Sequence, residues 1–259
     1  YFARSDAAAE YYDRILFHGA CFGDLMKTPS RPMLLINATD MDVFAQFPFT
    51  QDMFDLIGSD LSSYSLARAV AASSAVPGLL TPITLKNYAD KTPRLRESLF
   101  FSTDTGDSSI HRRQKIIADI ARSYLDSDRR PYIHLLDGGL VDNLGVGDLL
   151  TAVTAAGGWD PLLRQHGLHV PKHIVMVVVS AATEPVSEWE KEEKTPGLPS
   201  VVAALSKNAL NRTNRIMLEF LKESLDAWQQ EGARADCPRA QVHLVTVNFE
   251  QIADLSERA

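Results

Sequence analysis

The chain has 259 residues, a formal net charge of −7 from 26 Lys and Arg against 33 Asp and Glu, 45% hydrophobic residues and 23% charged ones. That is the balance of a globular protein long enough to bury a sizeable core. The acidic excess argues against a nucleic-acid surface and gives no pull toward anionic membranes. Two cysteines, Cys21 and Cys237, are too few for a disulfide framework, and no apolar run nears the length that spans a bilayer.

In chain order, Ser5 or Asp6 is a candidate cap for an Ala-rich helix over 5–16 that would bury Tyr11, Tyr12 and Ile15. Gly19-Ala20-Cys21-Phe22-Gly23 has the spacing of a nucleophile elbow built on cysteine. An elbow opens a long helix, however, and Pro29 and Pro32 follow too soon for one, so Cys21 reads as a structural cysteine. Met33 to Ile36 is an apolar run suited to a central strand, ended by turn chemistry at 37–40. Val43 to Phe49 suits a half-buried strand, as an edge hairpin near Pro48. Ser65 caps a helix over Leu66–Ala75, so rich in Ala and Ser that another element can pack close on it.

Ile83 to Leu85 suggests a short strand. Residues 86–110 lack periodicity and read as an insertion or flap. Ile116, Ile117, Ile120 and Tyr124 fall at helical spacing over 112–125. The basic pairs Arg112-Arg113 and Arg129-Arg130 read as solvated loop charges. Pro171 to Val179 is the strongest strand of the chain, and its unbroken β-branched run fits a strand covered on both faces. Residues 184–197 read as an acidic loop, Ser200 to about Gln230 as a long helix with Asn208, Asn211, Arg212, Asn214 and Arg215 on a solvated face, and Gln241 to Val247 as a last strand. Of the seven histidines, His166-x-x-His169 has a spacing that could hold a metal, but no Cys or acid partner stands near it in sequence. No metal site is therefore expected.

The stretch around which the chain is organised is 134–145. Tyr132 to Leu136 is a short β-prone run that stops at Asp137 and two glycines, and Val146 to Ala156 reads as a helix. A strand, a sharp turn and a helix put Asp137 at the carboxyl end of a sheet, where open α/β proteins keep their sites. Gly138 and Gly139 permit positive φ and close approach of backbone or substrate. Asp142 is expected on the solvent side of the same turn.

Asp137-Gly138-Gly139, with Asn143 six positions after the acid, resembles the second catalytic block of the patatin-like phospholipases. Ala67 to Pro77 resembles that family's helix ending in an Ala/Ser-rich stretch and a proline. Asn37-Ala38-Thr39-Asp40 resembles the segment before that helix. The order and spacing of the three blocks also fit. The resemblance implies a three-layer α/β fold with a mostly parallel sheet and helices on both faces, in one domain over 1–259. It implies a lipid acyl hydrolase of phospholipase A or esterase type that needs no cofactor and works through a Ser-Asp dyad. Asp137 would be the base, while Gly138, Gly139 and Asn143 would shape the turn, Asn143 through side-chain hydrogen bonds. The substrate would be a phospholipid or another acyl ester, and peripheral membrane contact is compatible with that.

Two departures stand out. Family members often carry proline shortly after the Asn of this block, whereas here the residue two positions after Asn143 is Gly145. The family's Gly-x-Ser-x-Gly elbow and glycine-rich oxyanion loop do not occur in the chain. The expectation is therefore a C-terminal part of a longer protein, with the serine on an N-terminal segment that also completes the sheet. The alternatives are a catalytically inactive patatin-like module for binding or regulation, and a Ser-His-Asp hydrolase using one of the histidines.

Overall fold

The computed structural model describes residues 2–27, 32, 34–89, 109–165, 167, 171–180, 195, 197–234 and 240–248. The chain divides into two compact units, Tyr1–Val141 and Asp142–Ala259, and each is described by itself.

The first unit opens with α1 (Arg4–Tyr12). Its N-terminus is closed by Asp6, whose Oδ2 accepts from the Ala3 amide at 2.9 Å. Ser5 is instead buried, with its hydroxyl donating to the Thr81 carbonyl. A π-helical turn at Asp13–Phe17 leads to α2 (Phe22–Leu25), then β1 (Asn37–Asp40), β2 (Ala45–Pro48) and α3 (Gln51–Leu56). The Thr50 hydroxyl caps α3 by accepting from Met53 N. Next come α4 (Leu66–Ser73), capped by Ser65 Oγ, and β3 (Ile83–Lys86). After α5 (Ser109–Tyr124) the chain enters β4 (Tyr132–Asp137), and α6 (Gly139–Asp142) follows at once.

The sheet order is β2-β1-β4-β3, with every neighbouring pair antiparallel. This overturns the mostly parallel, three-layer sheet expected from the sequence. Periodicity marks where strands lie but carries no sign for their direction. Between β1 and β2 only residues 41–44 intervene, and so short a connection can join strands only in antiparallel fashion. The strand expected at 33–36 begins instead at Asn37, where pairing to Pro48 starts; Leu34 and Leu35 are exposed. The edge hairpin near Pro48 and the short strand after Pro82 are as the sequence suggested. The proposed flap falls mostly on residues outside the described ones.

Strand alternation sorts the side chains of this sheet. Ala38, Asp40, Phe47, Ile83, Leu85, Ile133 and Leu135 share one face, all of them buried. Onto the same core pack Phe49, Phe54 and Tyr64, with ring centroids 5.2–6.0 Å apart. The alanines of α4 (Ala67, Ala69, Ala71 and Ala72) are almost wholly buried, so its small side chains do let it pack closely, as its composition implied.

A charge lies within this core. Asp40 is fully buried; its Oδ2 accepts from the Tyr124 hydroxyl at 2.7 Å and from Arg130 Nη2 at 2.6 Å. Its Oδ1 accepts from the Asp42 amide at 2.9 Å and from the Val43 amide at 3.4 Å, which folds the hairpin turn as an Asx-turn. The Arg130 guanidinium lies 4.7 Å from the Tyr124 ring centroid and donates to Ser123 Oγ at 2.7 Å. Burial and the neighbouring Asp40 carboxylate push the Tyr124 phenol well above its ordinary value, so it stays a donor. Burial alone would lower Arg130, but its bond and charge pairing with Asp40 outweigh that and raise it. Arg129 is exposed as expected; Arg130 is not a solvated charge at all.

The second unit contains α7 (Gly147–Ala156), α8 (Trp159–Gln165), β5 (His173–Ser180), α9 (Leu198–Arg234) and β6 (Gln241–Asn248). β5 and β6 pair in parallel over eight residues. Trp159 and Trp228 stand 6.0 Å apart between helices and donate to Ser224 Oγ and Asp160 Oδ1 at 3.0 and 2.8 Å. Ile174, Met176, Val178, Val242 and Leu244 face this core. Val175, Val177, Val179, Val245 and Val247 alternate with them and are exposed, so β5 is covered on one face rather than both. On α9, Asn214 belongs to the buried face with Leu221 and Leu225, not to the solvated one, and both its side-chain atoms are buried without a hydrogen-bond partner among the described residues.

Removing one partner of a buried, hydrogen-bonded ion pair strands the other charge. Arg130→Met therefore destabilises the protein by about 3–5 kcal/mol in urea unfolding, whereas Arg129→Met stays within about 0.5 kcal/mol of the parent. Equal small effects at both positions would show that Asp40 does not depend on Arg130.

Candidate functional site

Asp137 is the last residue of β4, and its neighbours come from two distant parts of the chain. It stands opposite Ala38 in the β1–β4 ladder. Its amide donates to the Ala75 carbonyl at 3.1 Å, and the Gly138 amide donates to the Ser73 carbonyl at 3.1 Å. Thr39 Oγ1 donates to the Asp137 carbonyl at 2.7 Å. The segments 37–40 and 67–77 thus meet Asp137 and Gly138 through backbone hydrogen bonds. The turn is held on both sides by main chain, which is how a strand-end acid is kept rigid.

The reason for Gly138 is steric. A Cβ placed there would lie 2.3 Å from the Asn37 carbonyl oxygen, so no other residue fits without β1 moving. Of the two reasons the sequence suggested for these glycines, close approach of backbone holds at Gly138, whereas positive φ is adopted by neither Gly138 nor Gly139. Gly139 instead contributes its amide, which donates to Asp137 Oδ1 at 2.7 Å.

The Asp137 side chain follows the core-facing register of Leu135 and Ala38 but is only half-buried at the strand end. Burial raises its carboxyl above the ordinary value, and the Gly139 amide offsets part of that by favouring the charged form. One oxygen is thus fixed by the turn, while Oδ2 takes no hydrogen bond from the described residues. An oriented carboxylate with raised proton affinity and one free oxygen can accept a proton from a hydroxyl or a water.

The nearby hydroxyls are not activated. Ser74 Oγ donates to the Val70 carbonyl at 2.9 Å, a bond internal to the end of α4. Cys21 is half-buried and precedes a helix of only four residues, so no elbow forms there. His134 is three positions before Asp137 and so lies on the opposite face of the sheet, where Nδ1 stands 3.0 Å from Thr84 Oγ1. It is not placed to orient on Asp137 as a catalytic histidine would. A groove lined by Asp6, Glu10, Arg14 and Arg68 lies along α1 and α4 and does not include Asp137.

The second unit begins with Asp142, and here the structure differs from the expectation of a solvent-side carboxylate. Asp142 is buried; Oδ1 accepts from the Gly145 amide at 3.0 Å and Oδ2 from the Gly147 amide at 2.5 Å. Asn143 is exposed, so the side-chain hydrogen bonds expected of it are made by Asp142 instead. Gly145 has φ +68°, a left-handed conformation closed to proline, which accounts for glycine at this position. The signal for Asp142 was readable in principle: an acid three and five residues before two glycines at a helix start suggests a carboxylate that accepts from their amides.

Among the described residues, no group of three or more His, Cys, Asp or Glu could hold a metal ion, and no helix is long and apolar enough to cross a membrane. No family model, no curated protein and no solved structure matches the chain.

Two measurements probe this geometry. For the raised carboxyl the sign is set by linkage. Below about 3.8, the ordinary value, folded and unfolded chains are both protonated and the stability is intact. As pH rises through the folded-state value, burial of the ionised group removes some of it. Asp137→Asn is accordingly more heat-stable than the parent at pH 7, and the gap in Tm closes as pH falls toward the ordinary carboxyl value; a gap that is constant with pH would contradict the burial of the charge. Asp142→Ala leaves the buried Gly147 amide unpaired and costs about 1–3 kcal/mol in urea unfolding; an unchanged midpoint would put Asp142 back on the solvent side.

Proposed function

We propose that the chain contributes the catalytic base of a serine-dependent lipid acyl hydrolase resembling the patatin-like phospholipases, with Asp137 as the base of a Ser-Asp dyad. The observation that carries this reading is the convergence on Asp137 of three sequence blocks: 37–40 through the β-ladder, 67–77 through the carbonyls of Ser73 and Ala75, and Asp137-Gly138-Gly139 itself. The reading rests on this local arrangement and not on the sheet, whose strand directions differ from the family's.

A serine hydroxyl is a weak nucleophile at its own pKa and needs an adjacent base. A carboxylate with one oxygen held by Gly139 and the other free suits that task without an intervening imidazole. In the forward step the base takes the serine proton as the hydroxyl attacks the acyl carbonyl, and it returns that proton to the leaving alcohol or lysophospholipid. Neither the serine in an elbow nor a glycine-rich oxyanion loop is in residues 1–259, so this proposal assigns both to a partner segment. The substrate class is a phospholipid or related acyl ester.

In the protein assembled with its nucleophile, Asp137→Asn lowers ester hydrolysis by on the order of 10²–10⁴ while circular dichroism stays unchanged. Near-normal turnover of that variant on a phospholipid ester would remove Asp137 from the chemistry. Failure of a fluorophosphonate probe to label any serine in the assembled protein would leave the inactive binding module as the reading to prefer.

A further inference from the structure

The open face of the two-stranded sheet in the second unit carries two imidazoles side by side. His173 begins β5 and His243 is the third residue of β6; both are exposed. In the parallel register His173 is opposite Gln241 and His243 is opposite Val175, so the two histidines are diagonal neighbours on the face that also bears Val175, Val177, Val245 and Val247. Their rings lie 5.6 Å apart, 28° from parallel, and His243 Nε2 stands 3.4 Å from His173 Nδ1.

That separation allows one long hydrogen bond between the ring nitrogens, the donor being set by the tautomer. It also matches the spacing of two ligands on one small ion. With metal–nitrogen bonds of about 2.0–2.1 Å and a tetrahedral angle, two coordinating nitrogens stand about 3.3–3.4 Å apart. From this geometry we propose that His173 and His243 form a two-imidazole site for a borderline divalent ion of the zinc, nickel or copper class.

The chemistry of the ligands selects the class. Neutral imidazole favours these ions over magnesium or calcium, which prefer oxygen ligands. Both facing nitrogens must be unprotonated, so each ring carries its hydrogen on the other nitrogen. Two protein ligands leave the remaining positions to water. The site is therefore exchangeable and of modest affinity, consistent with the lack of a third protein ligand among the described residues. Because the ligands come from two strands held together here by one ladder, a bound ion would cross-link β5 to β6 and stabilise the folded second unit by mass action.

The test is calorimetric titration of the 259-residue chain with zinc chloride at pH 7.5, paired with thermal unfolding with and without zinc. One equivalent is expected at this site, with a rise in Tm. His173→Ala and His243→Ala are each expected to weaken binding at least about tenfold, since loss of even an outer-shell partner costs about 10–100-fold. His134→Ala, whose imidazole is engaged by Thr84 in the other sheet, should leave binding unchanged. Independently of any variant, zinc should protect the imidazoles of His173 and His243 from carbethoxylation, read peptide by peptide in a mass spectrometer. Undiminished binding in either single variant, survival of the same binding in His173→Ala/His243→Ala with the ion on His166-x-x-His169 instead, or equal modification of both imidazoles with and without zinc would each overturn the proposal.

Discussion

Asp40 is the charge on which the architecture of the first unit depends. It is fully buried, and a carboxylate so placed needs every lone pair answered. One oxygen folds the hairpin turn through the amides of Asp42 and Val43; the other takes the Tyr124 hydroxyl and the Arg130 guanidinium. A single side chain thereby ties the end of β1 to the end of α5 and to the segment entering β4. The network restricts where β1 can sit against β4: a one-residue slip would turn Asp40 to the other face and leave Arg130 without its partner.

That register matters because the candidate site lies in the same ladder. Asp40 faces Leu135, and Ala38, two residues back, faces Asp137. The close approach of the Asn37 carbonyl to Gly138 follows from the same alignment, as does the bond from Thr39 to the Asp137 carbonyl. The acid at the strand end is thus positioned by the main chain of β1 on one side and by the carbonyls of Ser73 and Ala75 on the other, and its raised proton affinity comes from the burial that this packing imposes. The structural charge at one end of the pairing and the candidate base at the other are linked through three residues of β1.

The second unit is built on other terms. Its core is a tryptophan pair and aliphatic residues between long helices and one face of a parallel two-stranded sheet. The other face is a row of exposed valines headed by the two histidines. A parallel pair lacks the tight turn that holds a hairpin together, so its cohesion comes from the helices behind it and from whatever side chains bridge its strands.

Element positions were largely legible in the sequence because hydrophobic periodicity and caps are local properties. The helix after Ser65, the edge strand ending at Pro48, the strand ending at Asp137 and the long helix after residue 200 all lie close to where their patterns place them. Asp137, Gly138 and Gly139 stood out for the same reason, as an acid and two glycines ending an apolar run. Strand direction could not be read, since pleated alternation is the same whichever way a strand runs; the antiparallel sheet was decided by which strands meet. Tertiary structure alone decided which charges are buried: Arg130 looked no different from Arg129, and Asp142 looked like a surface acid, until distant partners were brought to them. It also decided why Gly138 must be glycine, because the atom that excludes a side chain there belongs to Asn37, about a hundred residues away in the chain and in direct contact only after β1 and β4 have paired.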